Sequence, residues 1–309
     1  MTAVFVDRLE RSIESSKSVL VAGCDPVIEK LPAFLLAEAD SSSKTSEEFV
    51  SRVLDSFCDV FVSAIRGRVA ASKPNAAFFE QYGLAGLASF KRLCENLKAA
   101  GIPVIIDAKR GDIGSTAAAY SAAFLGRTVV NGREISAFEG DALTVNPYLG
   151  FDTLEPFIAD CERHGKGIFV LVQTSNPGAK ALQGLQSGGR TVSEHVAHWL
   201  AEQAHRLQGS SGWSGLGAVV GASYPEEARS LRRILSTNYF LIPGLGAQGA
   251  GAADSVAGFG ERSGKRGGGL VNVSRGLLEG KAANMSEFEA LMVASADAFN
   301  SQLRAALQG

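Results

Sequence analysis

Eight times along this chain a short apolar run ends in a polar or charged residue and gives way to a turn or a helix-like stretch. The runs are 18–23, 69–72, 104–106, 142–146, 167–172, 216–220, 239–243 and 269–273. Residues 47–65, 82–100, 153–164, 191–207 and 286–307 carry the apolar spacing of helices between and after them. Strands alternating with helices imply a parallel sheet. Eight such units with no interdomain linker, in 309 residues, predict one closed (β/α)8 TIM barrel over 1–309 rather than an open doubly wound sheet. The opening segment MTAVFVDRLERSIESS mixes acids with apolar residues and reads as an amphipathic N-terminal helix, not a signal peptide. Residues 27–45, with a proline turn and the run SSSKTS, read as a surface insertion. Residues 126–140 read as a loop with a turn at VVNG.

Barrels of this kind put their chemistry at the C-terminal ends of the strands. That is where this chain places Asp25, Lys73, Asp107, Lys109, Ser175, Gln248 and Arg275. The densest such stretch is Pro103 to Thr116, PVIIDAKRGDIGST, where acids and bases alternate from Asp107 to Asp112. Side chains alternate across a strand, so Asp107 and Lys109 leave on one side and Arg110 on the other. A carboxylate and an ammonium set together at the end of a buried strand cost desolvation, which favours a functional pair over a solvated turn. Gly111 and Gly114 loosen the backbone beside Asp112, and Ser115 or Thr116 is placed to cap the alanine-rich helix that follows.

Gly244-x-Gly246-x-x-Gly249 satisfies the pattern of a dinucleotide fingerprint, but it follows the seventh strand rather than opening the first βα turn. With Arg275 after the eighth strand it matches instead the phosphate site common in barrel enzymes. Singly, Asp25 could be a turn residue, Lys73 a snorkelling lysine, and Ser175 and Gln248 loop polar groups. Their shared position at one barrel mouth argues for a site. His195 and His198 stand one turn apart beside Glu194, but on an outer helix far from that mouth, so no metal is expected. A net charge of −2 argues against a nucleic-acid surface, and no apolar run approaches the ~18 residues of a membrane span. Cys24, Cys58, Cys94 and Cys161 form no C-x-x-C pair, as expected of free thiols in a reducing cytoplasm. The loop after the fifth strand, 176–190, is long enough for a mobile lid.

The stretch Asp107-Ala-Lys109-Arg110-Gly111-Asp112-Ile113-Gly114-Ser115-Thr116 resembles the signature of the orotidine 5′-phosphate decarboxylases. Five companions resemble the longer bacterial branch (type 2) in order and spacing: Gly23-Cys-Asp25-Pro26, Lys73-Pro74-Asn75 through Glu80, Thr174-Ser175-Asn176-Pro177-Gly178, Pro243 through Gly249, and Val273-Ser274-Arg275-Gly276. The resemblance spans about residues 18 to 280. It implies cofactor-free, metal-free decarboxylation of orotidine 5′-monophosphate to uridine 5′-monophosphate in pyrimidine biosynthesis. It further implies a homodimer with sites at the subunit interface. Carried over, Lys109 gives the proton to the pyrimidine C6, Asp107 lies beside the substrate carboxylate, and Lys73 and Asp112 complete a charge array. Asp112 and Thr116 serve the neighbouring subunit's site. Asp25 and Lys73 hold ribose hydroxyls, Ser175 reads the pyrimidine, Pro243 belongs to the substrate pocket, and Gln248 and Arg275 hold the phosphate.

The chemistry agrees with that array. Loss of carbon dioxide from C6 leaves a carbanion that the ring delocalises poorly, and without a cofactor as electron sink the protein must supply fixed positive charge. Three other readings compete: a Schiff-base aldolase using Lys109 or Lys73, a metal-dependent sugar-phosphate decarboxylase, and a barrel that binds nucleotides without turnover. A lysine flanked by aspartates stays charged, the wrong state for attack on a carbonyl, and a mere binder has no use for the array.

Overall fold

The computed structural model describes residues 4–246, 251–262 and 264–308. Eight parallel strands among them form the barrel: β1 Leu20–Cys24, β2 Ala71–Pro74, β3 Ile105–Arg110, β4 Ala142–Val145, β5 Gly167–Gln173, β6 Ser214–Val220, β7 Asn238–Pro243 and β8 Gly269–Val273. Each strand pairs with its sequence neighbours, and β1 pairs with β8. The ring is completed between β2 and β3 by two parallel bridges, Ser72 to Val104 and Asn75 to Asp107. The (β/α)8 architecture read from the sequence is therefore the one observed.

Two cores follow from the alternation of side chains across the strands. Leu20, Ala22, Ile106, Leu143 and Val170 point outward and pack on the surrounding helices. Val21, Ala71, Ile105, Ala142, Phe169 and Leu270 point inward and fill the barrel. The N-terminal helix, Phe5–Ser16, closes the floor by its buried Phe5, Val6 and Leu9. Phe5 meets Phe169 edge to face with centroids 6.2 Å apart. Gly167 makes room for it, since a Cβ there would sit 2.4 Å from the Phe5 ring.

Several local expectations are realised in specific ways. Thr45 caps Ser46–Ile65 by accepting from Glu48 N–H, and Thr191 with Glu194 forms a full capping box on Val192–Gln203. Pro225 opens the helix Pro225–Ile234. The 126–140 segment holds a hairpin, Thr128–Val130 with Arg133–Ile135, around Asn131 and Gly132 at φ 48° and 72°. Residues 27–45 hold a 3-10 turn, Ile28–Lys30, and a helix, Ala33–Ser42, that bury Ile28, Leu31, Leu35 and Ala39. No helix of the described residues is long and apolar enough to cross a membrane.

Candidate active site

The barrel mouth is organised by an irregularity in β3. Against β4, Ile106 is opposite Leu143, but Arg110 is opposite Val145, so two extra residues bulge out between them. Lys109 sits in this bulge with φ 48°, a left-handed conformation that a non-glycine residue adopts only when its surroundings enforce it. Thr144 on β4 does so. Its hydroxyl accepts from the N–H groups of both Ala108 (3.1 Å) and Lys109 (2.9 Å), and donates to Asp107 Oδ1 (2.9 Å).

The bulge turns Asp107 and Lys109 toward each other. Lys109 Nζ lies 2.6 Å from Asp107 Oδ1, and Lys73 Nζ, from the end of β2, lies 2.6 Å from Oδ2. One carboxylate thus accepts from two ammonium groups and a hydroxyl. Burial works against charge on Asp107, but Lys73 and Lys109 outweigh it and hold the carboxyl well below the usual carboxylate range. Burial likewise works against charge on Lys73, and Asp107 and Asp25 outweigh it, so this lysine is held above its usual value. Lys73 and Asp107 are buried, whereas the Lys109 side chain is half exposed at the mouth. Arg110 leaves on the opposite side, pairs with Glu80 and lies over the Tyr120 and Phe124 rings.

A cavity of about 470 Å³ opens over this cluster, and Lys73, Asp107, Lys109, Thr144, Ser175 and Pro243 are on its wall. Gly221 lets Ser175 approach, since a Cβ there would fall 2.8 Å from the Ser175 Cβ. Asp25 and Arg275 line a second, neighbouring cavity of about 840 Å³. The Asp25 Oδ1 atom is buried with no hydrogen-bond partner among the described residues. Arg275 begins a 3-10 turn directly after β8, and Gly244 and Gly246 after β7 take φ of 122° and 76°. Gln248 lies outside the described residues.

Asp112 and Thr116 do not join either cavity. Asp112 Oδ1 accepts from the Ile113 N–H at 2.7 Å, and Thr116 is exposed in the first turn of Gly114–Phe124. That helix carries no side-chain cap, so the expected capping by Ser115 or Thr116 is not observed; Gly114 opens it instead, at φ 48°. The 176–190 segment contains a short helix, Ala179–Gln183, and a small hairpin of Gln186–Ser187 with Arg190–Thr191. Gln183 ties it to the mouth through the Thr174 N–H (2.9 Å) and hydroxyl (2.8 Å). His195 hydrogen-bonds the Ser187 carbonyl at 2.8 Å, and no group of three metal-ligating side chains occurs among the described residues. Thr144 is the site residue that sequence reasoning passed over. Its one signal is a hydroxyl in an otherwise apolar, fully buried strand.

Residues 39–287 match the sequence profile of the orotidine 5′-phosphate decarboxylase / HUMPS family. The chain is 42% identical over 250 residues to an orotidine 5′-phosphate decarboxylase of Caldicellulosiruptor bescii, covering 81% of this chain and 82% of the relative. It is 42% identical over 274 residues to the enzyme of that name from Rhodopirellula baltica, covering 89% and 88%. The solved structure of Leishmania donovani OMP decarboxylase superposes with a TM-score of 0.73 at 31% identity, over 99% of this chain and all of that one.

Proposed function

This chain belongs to the orotidine 5′-phosphate decarboxylase / HUMPS family, and we propose that it converts orotidine 5′-monophosphate to uridine 5′-monophosphate and carbon dioxide by the Lys73–Asp107–Lys109 array. The observation that carries this reading is the single buried carboxylate gripped by two ammonium groups, one of them free to face a substrate. As the C6–carboxylate bond breaks, its electron pair stays on C6 and carbon dioxide leaves. Lys109 Nζ places positive charge beside that carbon and then gives it a proton, leaving a neutral amine that regains its proton from solvent through its exposed half. Asp107 keeps Lys109 aimed, and Lys73 keeps Asp107 charged. Lys73, held as an ammonium, is in the wrong state for a Schiff base.

The remaining assignments follow the strand ends. The unpartnered Asp25 Oδ1 suits a ribose hydroxyl, alongside Lys73. Ser175 and Pro243 flank the pyrimidine, and Arg275 with Gln248 takes the phosphate, with 176–190 closing as a lid. Asp112 and Thr116 reach a neighbouring subunit's site in a homodimer. Exposed Ile113, next to Asp112, and exposed Leu84, Tyr148 and Leu149 support a second copy covering them.

The test is loss of orotidylate absorbance, in EDTA, by wild type and Lys109→Ala. Removing both the charge and the proton donor is expected to lower kcat by at least about 10³-fold, with the thermal midpoint retained. Near-normal kcat in Lys109→Ala refutes the role.

A further inference from the structure

The larger cavity is not accounted for by a single phosphate. Beside Arg275 it is lined by two further cations, Lys30 and Lys281, and none of the three pairs with a described residue. The acids on its wall are Asp25 and Glu279, so cations are in excess. Leu31, Phe78 and Phe288 supply an apolar wall, and a volume near 840 Å³ is within the range of small-molecule sites. A monophosphate held two-pronged by an arginine leaves both lysines and that wall unused.

We infer that this cavity is a polyphosphate subsite, taking a nucleoside di- or triphosphate whose phosphates run from Arg275 toward Lys281 and Lys30. Such molecules are what phosphoryl transfer makes from a nucleoside monophosphate, so the subsite would let later products of the same nucleotide series compete with the substrate. The inference rests on the assignment of the substrate phosphate to Arg275.

Calorimetric titration in EDTA, with no divalent cation to mask the phosphates, tests it on the whole chain with UMP, UTP, ATP and inorganic tripolyphosphate. In Lys30→Ala/Lys281→Ala the dissociation constant of UTP is expected to rise about tenfold, as two charge-assisted contacts are lost, while that of UMP stays within about twofold. Tripolyphosphate should displace UTP. ATP binding as tightly as UTP would put the base against Phe78 and Phe288, whereas UTP alone would put it in the reaction cavity; the inference holds in both cases. A UTP constant unmoved by the double substitution overturns it. If UTP discriminates between the two proteins while UMP binds neither, the polyphosphate subsite stands and the monophosphate assignment falls. Should the double variant lose its fold, Lys30→Gln and Lys281→Gln singly, each expected to cost UTP about threefold, decide the matter.

Discussion

The barrel buries a cation at each end and treats the two differently. At the mouth, Lys73 is neutralised by Asp107, which Lys109 and Thr144 share. Near the floor, Arg232 has no carboxylate among its described hydrogen-bond partners. Its guanidinium donates to the carbonyls of Leu235, Asn238, Gly258 and Gly268, all within 2.8 Å, and lies 3.7 Å from the Phe240 ring centroid with Trp213 also beside it. Burial pushes its pKa down to about 9, which still leaves it charged at neutral pH. Carbonyl dipoles and ring faces fix a cation without offering it a proton or an exchangeable counter-charge. A carboxylate shared by two ammonium groups leaves one positive charge over, so that one of them remains able to turn to an incoming anion. The first arrangement suits a clamp on the starts of β7 and β8. The second suits chemistry.

Asp107→Asn should break the comparison most severely. It strips buried Lys73 of the carboxylate it pairs with and leaves only Asp25 to offset its charge, and removing one partner of such a pair costs about 3–5 kcal/mol. With Lys109 no longer held, kcat is expected to fall by about 10³-fold or more. The pH dependence carries a sign. Asp107 is depressed in the folded state, so its contribution is present above the unfolded carboxyl value of about 4 and is lost as pH falls through the lower folded one. Lys73 is raised, so its contribution is present below the unfolded lysine value of about 10.4 and is lost as pH rises through the higher folded one. The gap in urea midpoint between wild type and Asp107→Asn should therefore be constant from about pH 5 to 9 and narrow in stronger acid. A gap that stays constant or widens below about pH 4 would mean the carboxyl is not depressed.

Arg232→Met separates structure from chemistry. It keeps the stem and its ring contacts but strips the donors from carbonyls that are buried, each worth about 1–3 kcal/mol when left unpaired. Partial relaxation brings the expected loss to about 4 kcal/mol by urea unfolding, with kcat of the folded fraction within about twofold of wild type. A variant as stable as wild type would show that the carbonyls find other donors, and a large fall in kcat would show that the floor and the mouth are coupled.

These two ends were not equally legible in the sequence. Strand ends rich in charge gave Asp107, Lys109, Lys73, Ser175 and Arg275 their positions, because a parallel barrel sends every such end to one face. The simple alternation of strand side chains also put Asp107 and Lys109 together, although the backbone achieves it through a bulge that no residue type announces. Thr144 was missed because a lone hydroxyl on a buried strand has no spacing to betray it. Arg232 was missed because on a helix with Arg229 and Arg233 it looks like one more surface charge. The proline turn and the SSSKTS run made residues 27–45 read as a surface insertion, yet Leu35 and Ala39, one turn apart, bury one face of the helix Ala33–Ser42, with Ile28 and Leu31 buried ahead of it.

Thr144→Val sharpens the account of the mouth itself. The change leaves the Ala108 and Lys109 amides without their acceptor and Asp107 without its third donor. An expected loss of about 1–3 kcal/mol follows from the unpaired groups, with kcat down about tenfold as the positive-φ turn at Lys109 relaxes. Full activity in this variant would mean that the bulge holds its shape without the hydroxyl.

Lys180→Ala is the smallest perturbation and completes the series with a cation in solvent. Lys180, on the short helix of the 176–190 segment, pairs with Glu227 at 2.9 Å and lies 4.2 Å from the Tyr224 ring centroid. The contact raises the lysine pKa, the Glu227 hydrogen bond foremost. Water screens such a pair, so its removal should leave the thermal midpoint within about 1 °C. What it should change is the segment: Gln183, three residues on, joins Thr174 at the mouth, so freeing Lys180 should speed proteolysis within 176–190 while protease resistance of the barrel stays as it was. Equal cleavage of the two proteins would show that Gln183 alone holds this segment down, and a midpoint lowered by several degrees would place Lys180 with the buried cations rather than apart from them.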